Sequence, residues 1–424
     1  MLKVQGQSRA IARLQRSLAN GRLASTWLFA GPQGVGKFTL AVELARTVMC
    51  DRPVKEKNGK RVAELPVDFE LTLACGACES CRAIDATGGG GVGGGHPDLH
   101  IITKELIRYH DRTGKSKGTT LSIDVIRGEI IGDPAEGKEA KIGKRAFRGR
   151  GKFFIIDEAD LMEGQAQNAL LKTLEEPPNE TYLILVTTSP GELLSTIRSR
   201  SQLVEFSQLP DAVMVPALEA AGLSREDAAL MGRLVKGSLG RAMRWIEDIR
   251  VIEAKNSEAA ARAEKKKARA GGDEGDEEES TDKFTAGGIL TWARELGAAL
   301  DGLVAGRAGG SDVAAVISKY AAEYSGLYLQ RDKLASADRA KRDGIQLLMA
   351  MAGEWFADRL RHGLGVPHAV TMPGLSGALD EEIVPELIGS ARDAEWQIDM
   401  NANEKILLAA TTTNWEKLLR SSAT

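Results

Sequence analysis

The run Leu28-Phe-Ala-Gly31-Pro-Gln-Gly34-Val-Gly36-Lys37-Phe38-Thr39 has the residue types that bind phosphate. An apolar strand feeds a glycine-rich turn whose backbone N–H groups can curl around an anion, and Lys37 opens a helix whose N-terminus favours negative charge. The position after such a lysine normally supplies a Ser or Thr hydroxyl to Mg2+. Here it is Phe38, and Thr39 lies about 100° further round the helix. The residues therefore predict a nucleotide fold whose own hydrolysis is weakened or lost.

A second motif, Phe153-Phe-Ile-Ile156-Asp157-Glu158-Ala-Asp160, ends an apolar run in acids. A buried strand would deliver Asp157 to the water shell of Mg2+ and set Glu158 beside it to orient attacking water. Thr187 and Thr188 follow the next apolar run and could offer hydroxyls to a terminal phosphate, although threonines are common at strand ends. Arg198 and Arg200, in Thr196-Ile-Arg-Ser-Arg-Ser201, could fork onto phosphate oxygens of a neighbouring subunit. A surface ion pair is the plainer alternative for them. Lys144, Arg145, Arg148, Arg150 and Lys152 form a basic lead into the Asp157 strand, and a solvated loop is the simpler reading.

All four cysteines fall in one segment: Cys50, then Cys75-Gly-Ala-Cys78-Glu-Ser-Cys81. Four thiolates at these spacings can close a tetrahedral zinc site of structural type. An iron–sulfur cluster lacks its usual downstream Cys-Pro, and a disulfide does not suit a cytoplasmic protein. Gly88 to Gly95, almost all glycine, has no following lysine and reads as a flexible excursion.

The elements that must position these residues alternate strand-like and helical runs, as in a mostly parallel sheet covered by helices. Strands are predicted at Ser25 to Phe29, Leu99 to Thr103, Lys152 to Ile156 and Tyr182 to Thr187. A small helical domain follows over 209–250, punctuated by Gly237-Ser-Leu-Gly240-Arg241-Ala242. Residues 251–283 are charged and poor in apolar side chains, which predicts a solvated, largely disordered linker. From 284 to 424 helical periodicity returns, with Ile289, Trp292, Ala293, Leu296, Leu300, Leu303 and Val304 on one face.

The chain has 424 residues, enough for two to four domains, and 43% of them are hydrophobic. No run of eighteen apolar residues occurs, so a cytoplasmic protein without a membrane partner is expected. The net charge of −3 includes six carboxylates in 273–279, without which the balance is +3. That is too mild to argue nucleic-acid binding from charge alone.

The first 250 residues resemble the bacterial clamp-loader subunits of the AAA+ class. The likeness rests on Val4-Gln-Gly-Gln7, the glycine loop, the four-cysteine insertion, His96-Pro-Asp98, Asp157-Glu-Ala-Asp160, Asn168-Ala-Leu-Leu-Lys-Thr-Leu-Glu-Glu-Pro-Pro178 and Ser199-Arg200-Ser201. The family's Ser-Arg-Cys stands here as Ser-Arg-Ser, which keeps the arginine. The resemblance implies an AAA+ phosphate-loop parallel-sheet domain over 1–208 with an inserted zinc module, a small helical lid over 209–250, and a C-terminal all-α collar over 284–424. Ile398-Asp-Met-Asn401-Ala-Asn403 looks like the family's last helices. The resemblance further implies a structural zinc on Cys50, Cys75, Cys78 and Cys81, a sensor role for Arg241, and a nucleotide site at Gly31, Gly34, Gly36, Lys37, Thr39, Thr187 and Thr188 that ATP and Mg2+ could still enter. The partners it implies are other subunits of a pentamer, a sliding clamp, and primed DNA reached through the assembled complex.

Two subunit types of that family fit, and Phe38 separates them. A motor ATPase needs the loop hydroxyl; a subunit that lends Arg200 to its neighbour does not. A non-catalytic scaffold, silent at both Lys37 and Arg200, is the third alternative.

Overall fold

The computed structural model describes residues 4–86, 95–110, 120–133, 137, 139–148, 150–248, 250, 288–331, 336–364, 379–380, 382–400 and 402–421. The charged stretch 251–283, most of the glycine run and Asn401 lie outside the described residues. The chain divides into two compact units, Met1–Val213 with Gly237–Gly240, and Met214–Lys236 with Arg241–Thr424.

The first unit is built on five parallel strands: β1 Thr26–Ala30, β4 Leu99–Ile102, β5 Lys152–Ile156, β6 Thr181–Thr187 and β7 Gln202–Glu205. Their order is β4-β5-β6-β1-β7, so the glycine-loop strand and the acid-bearing strand flank β6. β1 and β5 are buried at every residue, as strands covered on both faces must be. Alternate side chains feed two layers. Trp27, Phe29, Phe153, Ile155 and Val186 pack with helices Ser8–Ala19 and Lys37–Met49. Leu28, Phe154, Ile156, Leu183 and Leu185 pack on the other face with helix Gly164–Glu175.

The strands predicted from the sequence are all present. Two elements were not foreseen. β7 has one buried residue, Val204, and takes its place by pairing with β1. β2 Val54–Lys57 and β3 Glu70–Leu73 form an antiparallel hairpin between the first two cysteines. Gln15 docks that hairpin by imitating a strand: its amide donates to the Thr72 carbonyl at 2.9 Å and its carbonyl accepts the Thr72 N–H at 2.8 Å.

The second unit is helical. Helix Arg225–Leu234 is capped by Ser224, whose hydroxyl accepts the Asp227 N–H at 3.1 Å. Helices Gly288–Val304, Gly310–Arg331, Ala337–Gly363, Val384–Asp399 and Glu404–Ser421 enclose Trp292, Tyr320, Trp355, Phe356 and Trp415. The predicted stripe on the first of these is its buried face, from Ile289 to Leu303. Asp358 is fully buried and pairs with Arg233 at 2.6 Å and Arg361 at 2.8 Å. Such pairs cost desolvation that their attraction roughly offsets. Among the described residues no helix is long and apolar enough to cross a membrane.

Candidate nucleotide and metal sites

Strand register puts the predicted nucleotide residues at one end of the sheet. Ala30 lies level with Thr187, and Ile156 level with Leu185, so Gly31, Asp157 and Thr187 leave the sheet at its carboxyl edge. Gly31 has φ 150°, and a Cβ there would meet the Phe206 carbonyl at 2.3 Å; Gly36, at φ 101°, starts helix Lys37–Met49. Both positions exclude other side chains. Gly240 donates its N–H to the Gly34 carbonyl at 2.8 Å. Gln7 ties the loop to the exit of β7 by donating to the carbonyls of Val35 at 3.2 Å and Ser207 at 2.7 Å.

Several charged groups at this end find partners in the chain. Lys37, 6% exposed, donates to the carbonyls of Gly31 at 2.7 Å and Pro32 at 2.5 Å. Burial pushes its pKa down, and the negative charges of Asp157 and Asp160 oppose that shift. Burial also raises the Asp157 carboxyl, whose Oδ1 accepts the Glu158 N–H at 3.0 Å. Glu158 sits at φ 48°, a left-handed conformation that costs a non-glycine residue about 1 kcal/mol or more. Its carboxylate is held by Lys104 at 2.9 Å. Thr187 donates to Asp160 at 2.7 Å, and Thr188 does so through both its N–H and its hydroxyl.

Phe38 is half-buried and packs on the sheet core; Thr39 is exposed. Arg198 is exposed as well. Arg200 follows helix Ser195–Ser199 and pairs with Glu175 at 2.7 Å, so the surface ion pair expected as an alternative is present. Arg241 belongs to the second unit, half-buried, with its pKa lowered by burial and raised in part by Tyr324.

The four cysteines converge. Cys50 follows directly on helix Lys37–Met49, and Cys78 caps helix Glu79–Asp85 by accepting the Cys81 N–H at 3.4 Å. The four sulfurs lie within 4.8 Å of one another, with Cys50 to Cys78 at 3.8 Å and Cys50 to Cys81 at 3.7 Å. A tetrahedral ion with ligand bonds of about 2.3 Å has edges of about 3.8 Å, so the donors fit a metal ion. Backbone N–H groups of Ala77 and Cys78 lower the Cys75 thiol to about 6, whereas burial pushes Cys81 up to about 12. A cation is what lets such thiols ionise together.

The family model described as "DNA polymerase III, delta subunit" matches residues 6–210. Over that stretch, a little under half of the chain, the sequence is similar to DNA polymerase III delta subunits. Two relatives are named DNA polymerase III subunit delta': that of Escherichia coli is 32% identical over 54% of this chain and 57% of its own length, and that of Bacillus subtilis is 27% identical over 54% and 56%. A DNA polymerase III subunit gamma/tau of Mycobacterium tuberculosis is 30% identical over 53% of this chain and 32% of its own length. The chain thus spans little more than half of these delta' relatives.

Several polar partners escape a reading of the sequence. Lys104, which clamps Glu158, and Glu175, which clamps Arg200, are distant in sequence from their partners. Asp160 carries both threonines although only its motif was visible. Lys152 is a correction to the solvated basic loop: it is 4% exposed, and its ammonium donates to the carbonyls of Lys141 at 3.0 Å and Lys144 at 2.7 Å.

Proposed function

We propose that this chain acts in DNA replication as a delta'-type clamp-loader subunit, lending Arg200 to ATP bound by an adjacent gamma/tau motor subunit. The observation that carries this reading is a pair of opposites within one unit, at the two ends of its parallel sheet. Phe38 removes the Mg2+ hydroxyl from the chain's own loop, while Arg200 stands at the surface, 36% exposed as a side chain and held by Glu175 and its own helix. An arginine is permanently charged and its fork matches phosphate oxygens, so a rigidly presented one stabilises phosphoryl transfer in a neighbour.

In this reading residues 1–208 form the AAA+ domain, 209–250 the lid and 284–424 the collar that joins a pentamer with gamma/tau and delta, in the cytoplasm. Cys50, Cys75, Cys78 and Cys81 hold a structural Zn2+, which suits four thiolates better than a harder cation would. ATP with Mg2+ would be held by the Gly31–Gly36 loop and Lys37, near Asp157, Glu158, Thr187 and Thr188, with Arg241 as sensor. Ligand binding at the motor sites opens a sliding clamp and sets it on primed DNA.

The test is Arg200→Ala in the reconstituted complex with motor subunit, clamp and primed DNA. Turnover at the adjoining site should fall on the order of 10³-fold with assembly intact. Unchanged DNA-dependent ATPase removes the in-trans role. A second reading, a gamma/tau-type motor, is favoured by the 30% identity to that subunit and by the retained Lys37 and Asp157. It requires hydrolysis by the isolated chain.

A further inference from the structure

The basic segment ahead of β5 is a built surface at the opposite end of the sheet from the glycine loop. Residues 139–152 hold six Lys or Arg and one acid. Two buried charges fix its path. Asp98, 2% exposed, accepts the Phe147 N–H at 2.7 Å and the Arg148 N–H at 3.0 Å, one on each carboxylate oxygen. Lys152 holds the Lys141 and Lys144 carbonyls from the other side. The cysteine module adds two braces: Arg150 donates to the Cys50 carbonyl at 3.1 Å, and Arg148 pairs at 2.6 Å with Glu79, the neighbour of Cys78.

All this anchoring presents an aromatic ring to solvent. Phe147 is 81% exposed, the most exposed of the large hydrophobic side chains recorded for the described residues. Arg145, two residues before it, is exposed and has no ion pair among the described residues. Leaving a phenyl ring in water forfeits the burial that normally repays it, and here the backbone beneath is held by two desolvated charges. A ring with a free face near the unpaired Arg145 guanidinium matches an unpaired base on a phosphate backbone, because every base has a π-face and every nucleotide a negative charge.

We infer that Arg145 and Phe147 form a contact for single-stranded nucleic acid, with Phe147 stacking on a base and Arg145 meeting a phosphate. This goes beyond the trans-arginine reading and does not rest on it. It also gives the cysteine module a second task, bracing the loop that carries the ring.

The experiment is fluorescence polarisation of the full-length chain with a labelled oligothymidylate, a duplex of equal length, and polyglutamate as competitor. The single strand should bind in preference to the duplex, more weakly as salt rises. Phe147→Ala should weaken single-strand binding about tenfold, Phe147→Trp should preserve it, and Arg145→Glu should weaken it and flatten its salt dependence. Phe147 is exposed, so these variants keep the fold, checked by circular dichroism. No binding, an unaltered affinity in Phe147→Ala, or displacement by polyglutamate with no preference for the single strand would overturn the assignment, the last in favour of an acidic protein partner. Arg200→Ala should leave this binding unchanged; a chain that binds the strand while Arg200 proves silent in the complex loses only the trans-arginine reading.

Discussion

The cysteine module and the nucleotide end of the same unit solve opposite problems with polar atoms. In the module the four sulfurs crowd within 4.8 Å, and apart from N–H donors they face one another. At the nucleotide end several charged side chains are turned toward their own protein: Lys37 to loop carbonyls, Glu158 to Lys104, Asp160 to Thr187 and Thr188. The module needs a cation to reconcile buried thiols, so metal binding is part of its folding. At the nucleotide end a bound phosphate would have to compete with the Gly31 and Pro32 carbonyls for Lys37, and a Mg2+ site with Lys104 for Glu158. Likeness to an ATP site is therefore weaker evidence of turnover than likeness to a metal site is of metal binding.

The sharpest way to break this comparison is to remove one sulfur. Cys81 is fully buried and helix Glu79–Asp85 carries it, so Cys81→Ser should abolish stoichiometric metal and destabilise the first unit by on the order of 5–10 kcal/mol. Metal analysis with thermal unfolding, before and after a strong chelator, checks it. A metal-free wild-type chain with the same melting temperature as the variant would erase the distinction between the two regions.

That contrast was half legible in the amino-acid order. Phosphate-loop glycines and cysteine spacings are local signals, because the backbone itself brings the atoms together, and the four largely apolar strands stand out for the same reason. β7 and the β2–β3 hairpin gave no such signal: Gln-Leu-Val-Glu and Val-Lys-Glu-Lys are edge or satellite strands with too few buried residues to show a pattern. Lys104 and Glu175 were invisible because their partners lie 54 and 25 residues away and meet only once the sheet has formed. Lys152 misled for another reason. Its neighbours are solvated cations, and only the carbonyls folded over it show that it is buried.

Acid attacks both regions, and His100 separates them. Its ring stacks on Phe154 at 4.6 Å, and burial, with Lys141 and Lys152 adding repulsion against weaker help from Glu129 and Asp98, lowers its pKa from 6.5 to about 4. A depressed folded-state pKa means that the unfolded chain binds the extra proton between those values. Stability is then fully present above 6.5 and is lost as pH falls towards 4, by roughly 3 kcal/mol. Protonation of the thiols costs the wild type and His100→Phe alike, so the difference between their urea midpoints at neutral pH and at pH 4 isolates the sheet. Parallel losses in the two proteins would place the acid sensitivity in the metal module alone.

The smallest effect bears on the nucleotide end directly. Phe38 packs half-buried on the sheet core, so Phe38→Thr should cost about 1–2 kcal/mol of stability while returning a hydroxyl to the Mg2+ position. If internal satisfaction is what silences this end, nucleotide affinity should become Mg2+-dependent and hydrolysis should stay absent, because Glu158 remains held by Lys104. Only Phe38→Thr combined with Lys104→Ala should then turn over. Measurable hydrolysis by the single variant would show that one missing hydroxyl was the whole defect, and that the internal pairs yield readily to a bound nucleotide.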